Sequence, residues 1–334
     1  LAKAIKLIIT MRTGVINEEL HHAGTSLQIV SPARKEDGTQ DFLLSYLKDN
    51  KGMITDLLSD TGAMLFRGFG ITDKDGLSEV KEIFAGGTAF NYVDGNSPRT
   101  RLSNAVYTST EYPKEYPISL HSELSYSHRW PGMIFFLCHT PAETGGETPI
   151  ADCRSVLKGL RREIVDKFET LGVKYTRYLS GERGMGKSWM DTFETNDRAM
   201  VEGYCRDSQI EFSWEQSALY LSQRGPGVAR HPVTGEKVWF NQANQFHPSG
   251  LPAEIYKGLK LMHARSVRKF PQYAFFGNGE EIPEEYLKEI TDTHFEMALK
   301  FKWEKGDLLM LDNMLVAHGR MPFKGDRKIF VSMC

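Results

Sequence analysis

Cysteine is scarce in this chain of 334 residues: Cys138, Cys153, Cys205 and Cys334 are scattered, with no C-x-x-C pair among them. That pattern argues against a disulfide framework or a structural zinc site and fits a reducing compartment, so a cytoplasmic protein is expected. An excess of charge of one sign is also missing, since 41 Lys and Arg stand against 43 Asp and Glu with no basic block. A protein that holds nucleic acid by neutralising phosphates is therefore not expected. No apolar run approaches the roughly 18 residues that span a bilayer. Leu1 to Thr10 holds a short apolar run beside Lys3 and Lys6. It falls short of the about 7–15 apolar residues of a secretory signal and lacks a small-residue cleavage site. Residues 1–15 are expected to be a frayed terminus or a cloning remnant. Internal repeats and low-complexity tracts are absent as well.

What is present is ordinary globular material, 40% hydrophobic and 25% charged, long enough to build a core without disulfide or metal staples. Helical periodicity runs through Asp41 to Leu58, Gly76 to Phe84, Ser155 to Leu171 and Pro283 to Phe301. Short β-branched and aromatic runs bounded by Gly, Pro, Asn or Asp predict strands at Ala63 to Arg67, Met133 to His139, Val173 to Tyr178, Leu308 to Leu311 and Lys328 to Met333. Strands with a few helices and no regular βαβ alternation favour a decorated antiparallel double sheet over a Rossmann fold. No linker divides the chain, so residues 1–334 are expected to form one domain.

Two segments carry chemistry. In Ile118-Ser119-Leu120-His121-Ser122-Glu123-Leu124-Ser125-Tyr126 the imidazole and carboxylate stand two apart. On a helix they would diverge by about 200°, whereas on a strand both point to one face. The preceding Pro117 and the apolar–polar alternation suit a strand. An imidazole and a carboxylate converging on one point are two-thirds of the facial triad that holds ferrous iron with open positions. The second segment, Gly306 to Arg320, predicts a strand, an Asp312-Asn313 turn and another strand that carries His318 inward. Beyond a Pro322 and Gly325 turn, Arg327 opens the last strand. If His318 is the third ligand, the planar fork of Arg327 suits the carboxylate of a co-substrate.

These segments resemble the TauD/TfdA branch of the Fe(II)/2-oxoglutarate-dependent dioxygenases. Within it they are most similar to the SyrP-like and clavaminate-synthase-like amino-acid oxygenases. The resemblance runs from about Gly62 onward. It takes in Leu65-Phe66-Arg67-Gly68-Phe69, Tyr107 to Pro113, His121-Ser122-Glu123, Pro141 to Thr148, Trp189 to Thr195, His231 to Asn241 and His318 to Arg327. It implies an α+β, mainly β fold, with a double-stranded β-helix (jelly-roll) core decorated by helices. It implies that His121, Glu123 and His318 bind iron, that Arg327 pairs with the distal carboxylate of 2-oxoglutarate, and that Thr148 hydrogen-bonds the same co-substrate. The branch more often has Asp where this chain has Glu123, and Glu also serves. A halogenase, in which a small residue replaces the carboxylate, is not expected.

The resemblance further implies hydroxylation of an unactivated C–H bond in a small amino-acid-like substrate, free or carried on a protein, in specialised biosynthesis. Dioxygen and 2-oxoglutarate would be consumed, with release of succinate and carbon dioxide; desaturation and epoxidation are variants. Arg101, Asn241 and Arg320 are candidates for gripping the substrate, against the plainer reading of solvated ion pairs or backbone bonding. Tyr126 and Trp239 are expected to be packing residues. His21, His22, His128, His139, His247, His263 and His294 are read as non-ligands, and His231 as a piece of pocket wall.

Three other readings compete. Gly181 to Ser188 matches G-x-x-x-x-G-K-S after a predicted strand, the pattern of a P-loop NTPase. No apolar strand ending in Asp is placed for magnesium, so the segment is read as a Gly-rich loop. A zinc hydrolase lacks its H-E-x-x-H helix. A non-catalytic ligand-binding barrel would have no use for an intact ligand set.

Overall fold

The computed structural model describes residues 3–5, 14–86, 95, 101–103, 106–108, 112–181 and 186–334. Its frame is a nine-stranded sheet to which Ala63–Phe66, Leu308–Asp312, Met133–Thr140 and Lys328–Met333 contribute the central strands. Leu309 stands opposite Leu65 on one side and Phe136 on the other, while Met310 stands between Met64 and Phe135. Successive residues of a strand point to opposite faces, and here both faces are covered. Leu65, Phe136, Leu309 and Leu311 belong to one core, and Met64, Phe66, Phe135, Leu308 and Met310 to another. That double burial explains why these strands read as unbroken apolar runs rather than as alternation.

The second of those cores is closed by the helices Gln40–Asp49, Lys51–Thr61 and Lys74–Ala85, through Leu43, Leu47, Ile54, Leu58, Leu77 and Val80. On the other face lies a three-stranded sheet in the order Ile150–Asp152, Val316–Arg320, Ile118–His121. Its Leu120, Ile150, Val316 and Ala317 share the larger core with Phe136 and Leu309. The helix Glu284–Met297 adds Tyr286, Leu287 and Ile290 to the same core. The architecture is the expected mainly β jelly roll decorated by helices. A further antiparallel sheet, of Glu211–Glu215, Ala218–Gly225, Val173–Leu179 and Gln272–Phe276, is added to it.

The turn between the large and small sheets is built by side chains. Asp312 Oδ1 accepts from the Met314 and Leu315 N–H groups at 2.9 and 3.0 Å, so the chain reverses just before the Val316–Arg320 strand. Gly62, at φ 77°, ends the helix Lys51–Thr61 beneath it, and a Cβ there would sit 2.4 Å from Val316 Cγ2. Only glycine combines that left-handed turn with that approach.

Several expected elements are shifted. The helix predicted over Asp41 to Leu58 is two helices that meet at Asn50, whose Nδ2 donates to Tyr46 O at 2.9 Å. The one predicted over Ser155 to Leu171 is likewise Cys153–Gly159 and Arg162–Leu171. The hairpin Val15–His22 with Thr25–Pro32 was not expected at all. At the start of the chain, Lys3–Ile5 pairs with Glu19 to His21 as an edge strand.

Candidate metal centre

The strand expected to carry both His121 and Glu123 stops at His121. This is a correction: Glu123 reaches the site from the turn that follows, and Leu124 after it takes φ 56°. The chain therefore bends where an uninterrupted strand was predicted. Within the small sheet His121 and His318 are direct cross-strand partners. Their ring centroids are 4.6 Å apart. One ligand atom from each of His121, Glu123 and His318 lies within 4.8 Å of the others, and all three residues are buried. Among the described residues they are the only such group of His, Cys, Asp and Glu. The face of the large sheet supplies Phe136, whose ring centroid is 5.0 Å from that of His318.

Two of the ligand candidates, His121 and Glu123, are held from behind. His121 Nδ1 is 2.9 Å from the Ser119 carbonyl; a metal bound at Nε2 would put the ring hydrogen on Nδ1, where that carbonyl accepts it. Gln245 lies against the same edge, with Nε2 2.9 Å from His121 Nδ1 and 3.0 Å from Ser119 O. Its own orientation is fixed by Gln242, whose Nε2 donates to Gln245 Oε1 at 2.8 Å. Glu123 is gripped through its backbone by Asn313. His231 donates from Nε2 to Asp312 Oδ2 at 3.0 Å, because its Nδ1 accepts from the Thr234 N–H. Nothing in the sequence singled out Gln245 or Asn313 for these tasks; the only signal was that Asn313 belongs to the turn before the His318 strand.

Arg327 and Thr148 come together beside this centre. Gly319 N donates to Pro149 O and Met321 N to Glu147 O, so the run through Thr148 lies alongside the His318 strand. Arg327 donates from Nε to Gly146 O at 2.9 Å and approaches Thr148 Oγ1 at 3.5 Å, and Thr148 also accepts from Trp303 Nε1 at 3.1 Å. Burial, and then the like charge of Arg320, bring the Arg327 guanidinium down to about 10, still a cation at neutral pH.

The proposed substrate grips fare differently. Arg320 is buried, with its terminal nitrogens donating to the carbonyls of Tyr112, Pro113 and Tyr116. Its Nε finds no partner among the described residues. Asn241 donates to Gly227 O at 2.8 Å and accepts from the Ala243 N–H at 3.1 Å. Both side chains thus bind backbone; for Asn241 that is the plainer reading, whereas Arg320 is buried rather than in a solvated ion pair. Arg101 lies on the Arg101–Ser103 strand, and its side chain falls outside the described residues. Tyr126 and Trp239 are buried in the larger core.

The P-loop reading has lost its context. Residues 182–185 are outside the described set. The preceding strand Val173–Leu179 is antiparallel to both of its neighbours, so there is no parallel βα unit. Ser188 caps the short helix Trp189–Phe193 through the Asp191 N–H instead of facing a phosphate.

A family profile described as "Taurine catabolism dioxygenase TauD, TfdA family" matches residues 30–333. The chain belongs to the TauD/TfdA family. It is 38% identical over 281 residues to the dapdiamide synthesis protein DdaC of Enterobacter agglomerans, covering 84% of each chain. It is 30% identical over 298 residues to a clavaminate synthase-like protein of Arabidopsis thaliana, covering 86% of each. In fold it is similar to the PvcB protein of Pseudomonas aeruginosa, with a TM-score of 0.57 at 15% identity, over 98% of this chain and 94% of that one. The TauD/TfdA assignment agrees with the fold and with the residues gathered at the centre.

Proposed function

We propose that this TauD/TfdA-family dioxygenase uses Fe(II), 2-oxoglutarate and dioxygen to hydroxylate an unactivated C–H bond of a small amino-acid-like substrate, releasing succinate and carbon dioxide. The observation that carries the reading is the convergence of His121, Glu123 and His318 within 4.8 Å, from segments far apart in the chain. Two neutral imidazoles and one carboxylate, with no thiolate, are a donor set that suits ferrous iron with open positions. The similarity to a dapdiamide synthesis protein supports a biosynthetic role.

When bound, the iron centre supplies the oxidising chemistry that couples decarboxylation of 2-oxoglutarate to oxidation of the substrate. The protein's part is placement. His121, Glu123 and His318 would hold the metal and leave coordination positions open to 2-oxoglutarate and dioxygen. Arg327 would pair with the distal carboxylate of 2-oxoglutarate, and Thr148 would donate its hydroxyl to the same carboxylate. A cation already brought down by burial gains most from a carboxylate partner in a place where water screens little. The apolar wall that includes Phe136 would keep bulk water from the reacting carbon.

Among the described residues no helix is long and apolar enough to cross a membrane. We place the enzyme in the cytoplasm and leave its substrate either free or presented on a carrier protein. The test is succinate release across a panel of free and carrier-tethered amino acids with Fe(II) and 2-oxoglutarate. The reading predicts substrate-stimulated succinate formation that needs both; absence of any dependence on 2-oxoglutarate would contradict it.

A further inference from the structure

Asn313 was legible only as half of an Asp-Asn turn, yet its side chain is wholly buried and sits against a candidate ligand. The Glu123 N–H donates to Asn313 Oδ1 at 2.7 Å, and Asn313 Nδ2 donates to Glu123 O at 2.9 Å and to Pro131 O at 2.9 Å. A carboxamide has two N–H donors and one acceptor oxygen, and here every one of them is engaged. The peptide in its grip is one that needs holding. Leu124 stands at φ 56°, a left-handed conformation that a branched-chain L residue avoids and that persists only where its surroundings fix it.

The other end of the contact is equally constrained. The Asn313 N–H donates to Gly132 O at 2.9 Å. Its neighbour Asp312 accepts from Met314 and Leu315 N–H on one oxygen and from His231 Nε2 on the other. The same turn leads directly into the strand that carries His318. One buried amide therefore ties the hairpin bearing an imidazole to the bend bearing the carboxylate.

We propose that Asn313 is a positioning residue, fixing the Glu123 peptide so that its carboxylate stays in register with His121 and His318. The proposal deepens the iron-centre reading and rests on it. Without the clamp the Leu124 bend keeps only its local backbone bonds, Ser125 N–H to Ser122 O and Ser127 N–H to Leu124 O, and Glu123 samples orientations in which its oxygen no longer meets the two imidazoles. The donor set is then intact in composition and degraded in geometry.

The experiment titrates the full chain anaerobically with Mn(II) alone, following free Mn(II) by its paramagnetic resonance signal. Asn313→Ala is compared with Leu58→Ala, a cavity made in the separate core on the opposite face of the large sheet. Thermal midpoints of both are recorded, to match them for general destabilisation. Asn313→Ala is expected to bind Mn(II) about 10- to 100-fold more weakly than the unaltered chain, the usual cost of losing an orienting partner. Leu58→Ala is expected to keep the original affinity. Asn313→Ser, which restores one hydrogen bond at most, is expected to fall between, and it serves as the test if the alanine variant does not fold. Unaltered affinity in the serine and alanine variants, or an equal loss in Leu58→Ala, overturns the proposal. Failure of the unaltered chain to bind Mn(II) would instead overturn the metal centre itself, before any variant is considered.

Discussion

His121 and His318 face one another across adjacent strands of the small sheet, with ring centroids 4.6 Å apart. Cross-strand partners are held at fixed separation by the ladder between them. The spacing of two of the three ligand candidates is therefore a property of sheet register rather than of loop conformation. Register is in turn fixed by burial, because a one-residue slip of either strand would turn its imidazole away from the site.

Arg327 is expected to act on 2-oxoglutarate and not on the metal. Replacing it with Met should raise the 2-oxoglutarate concentration needed for half-maximal succinate release by ten-fold or more, on the order of the 1.5–3 kcal/mol of a charge-assisted hydrogen bond. Mn(II) affinity should be unchanged. A loss of metal binding of the same size would mean that Arg327 belongs to the scaffold of the centre.

The same residue sets a pH dependence. Its guanidinium loses its proton as pH rises through about 10, so 2-oxoglutarate binding should be level from neutral pH upward and decline at the alkaline end. Binding of the dianion favours the protonated form and pushes the decline further up. Equilibrium binding measured across this range checks it. A decline already complete near pH 8 would assign it to a different group.

Arg67 and Asp307 form a bidentate pair at 2.9 and 2.6 Å, with the carboxylate fully buried. Burial raises the Asp307 carboxyl, and the Arg67 charge opposes that rise. Arg67→Ala should cost roughly 3–5 kcal/mol at neutral pH, because it leaves a buried charge unmatched. In the variant the Asp307 pKa climbs further above its unfolded value. The folded state then binds the extra proton, and stability falls as pH rises from the unfolded pKa through the folded one. The deficit measured by urea denaturation should therefore be smaller near pH 4 than at pH 8. A deficit that does not change with pH would show that the carboxylate is not what the arginine compensates.

Arg320 is expected to hold a loop rather than a substrate. Arg320→Ala should lower stability by roughly 2–3 kcal/mol through the lost charge-assisted bonds to Tyr112, Pro113 and Tyr116. It should also speed proteolytic cutting near those residues. A rise in substrate KM with unaltered stability and proteolysis would restore the substrate role.

Much of the fold is legible in the sequence. Lys328–Met333 lies where its apolar run put it, as do the strands at Ala63 and Leu308, because residues buried on both faces of a sheet leave continuous hydrophobic runs. The hairpin Val15–His22 with Thr25–Pro32 was hidden because Glu18, Glu19, His21 and His22 dilute its alternation. Asn50 and Leu160-Arg161 break helices within runs whose apolar period continues across them, which periodicity alone does not register. At the site, the residue types of His121, Glu123 and His318 carried the chemistry. The bend at Leu124, the Asn313 clamp and the Gln245 contact did not show in the sequence, since each depends on chain segments meeting across long separations.

Convergence of His121, Glu123 and His318 on ferrous iron is tested by anaerobic addition of Fe(II) and 2-oxoglutarate to the full chain, watching for the weak visible charge-transfer band. The band is expected in the unaltered protein and is expected to be lost in His121→Ala, Glu123→Ala and His318→Ala, each still folded by circular dichroism. Retention of the band together with coupled succinate release in any one of the three would contradict it.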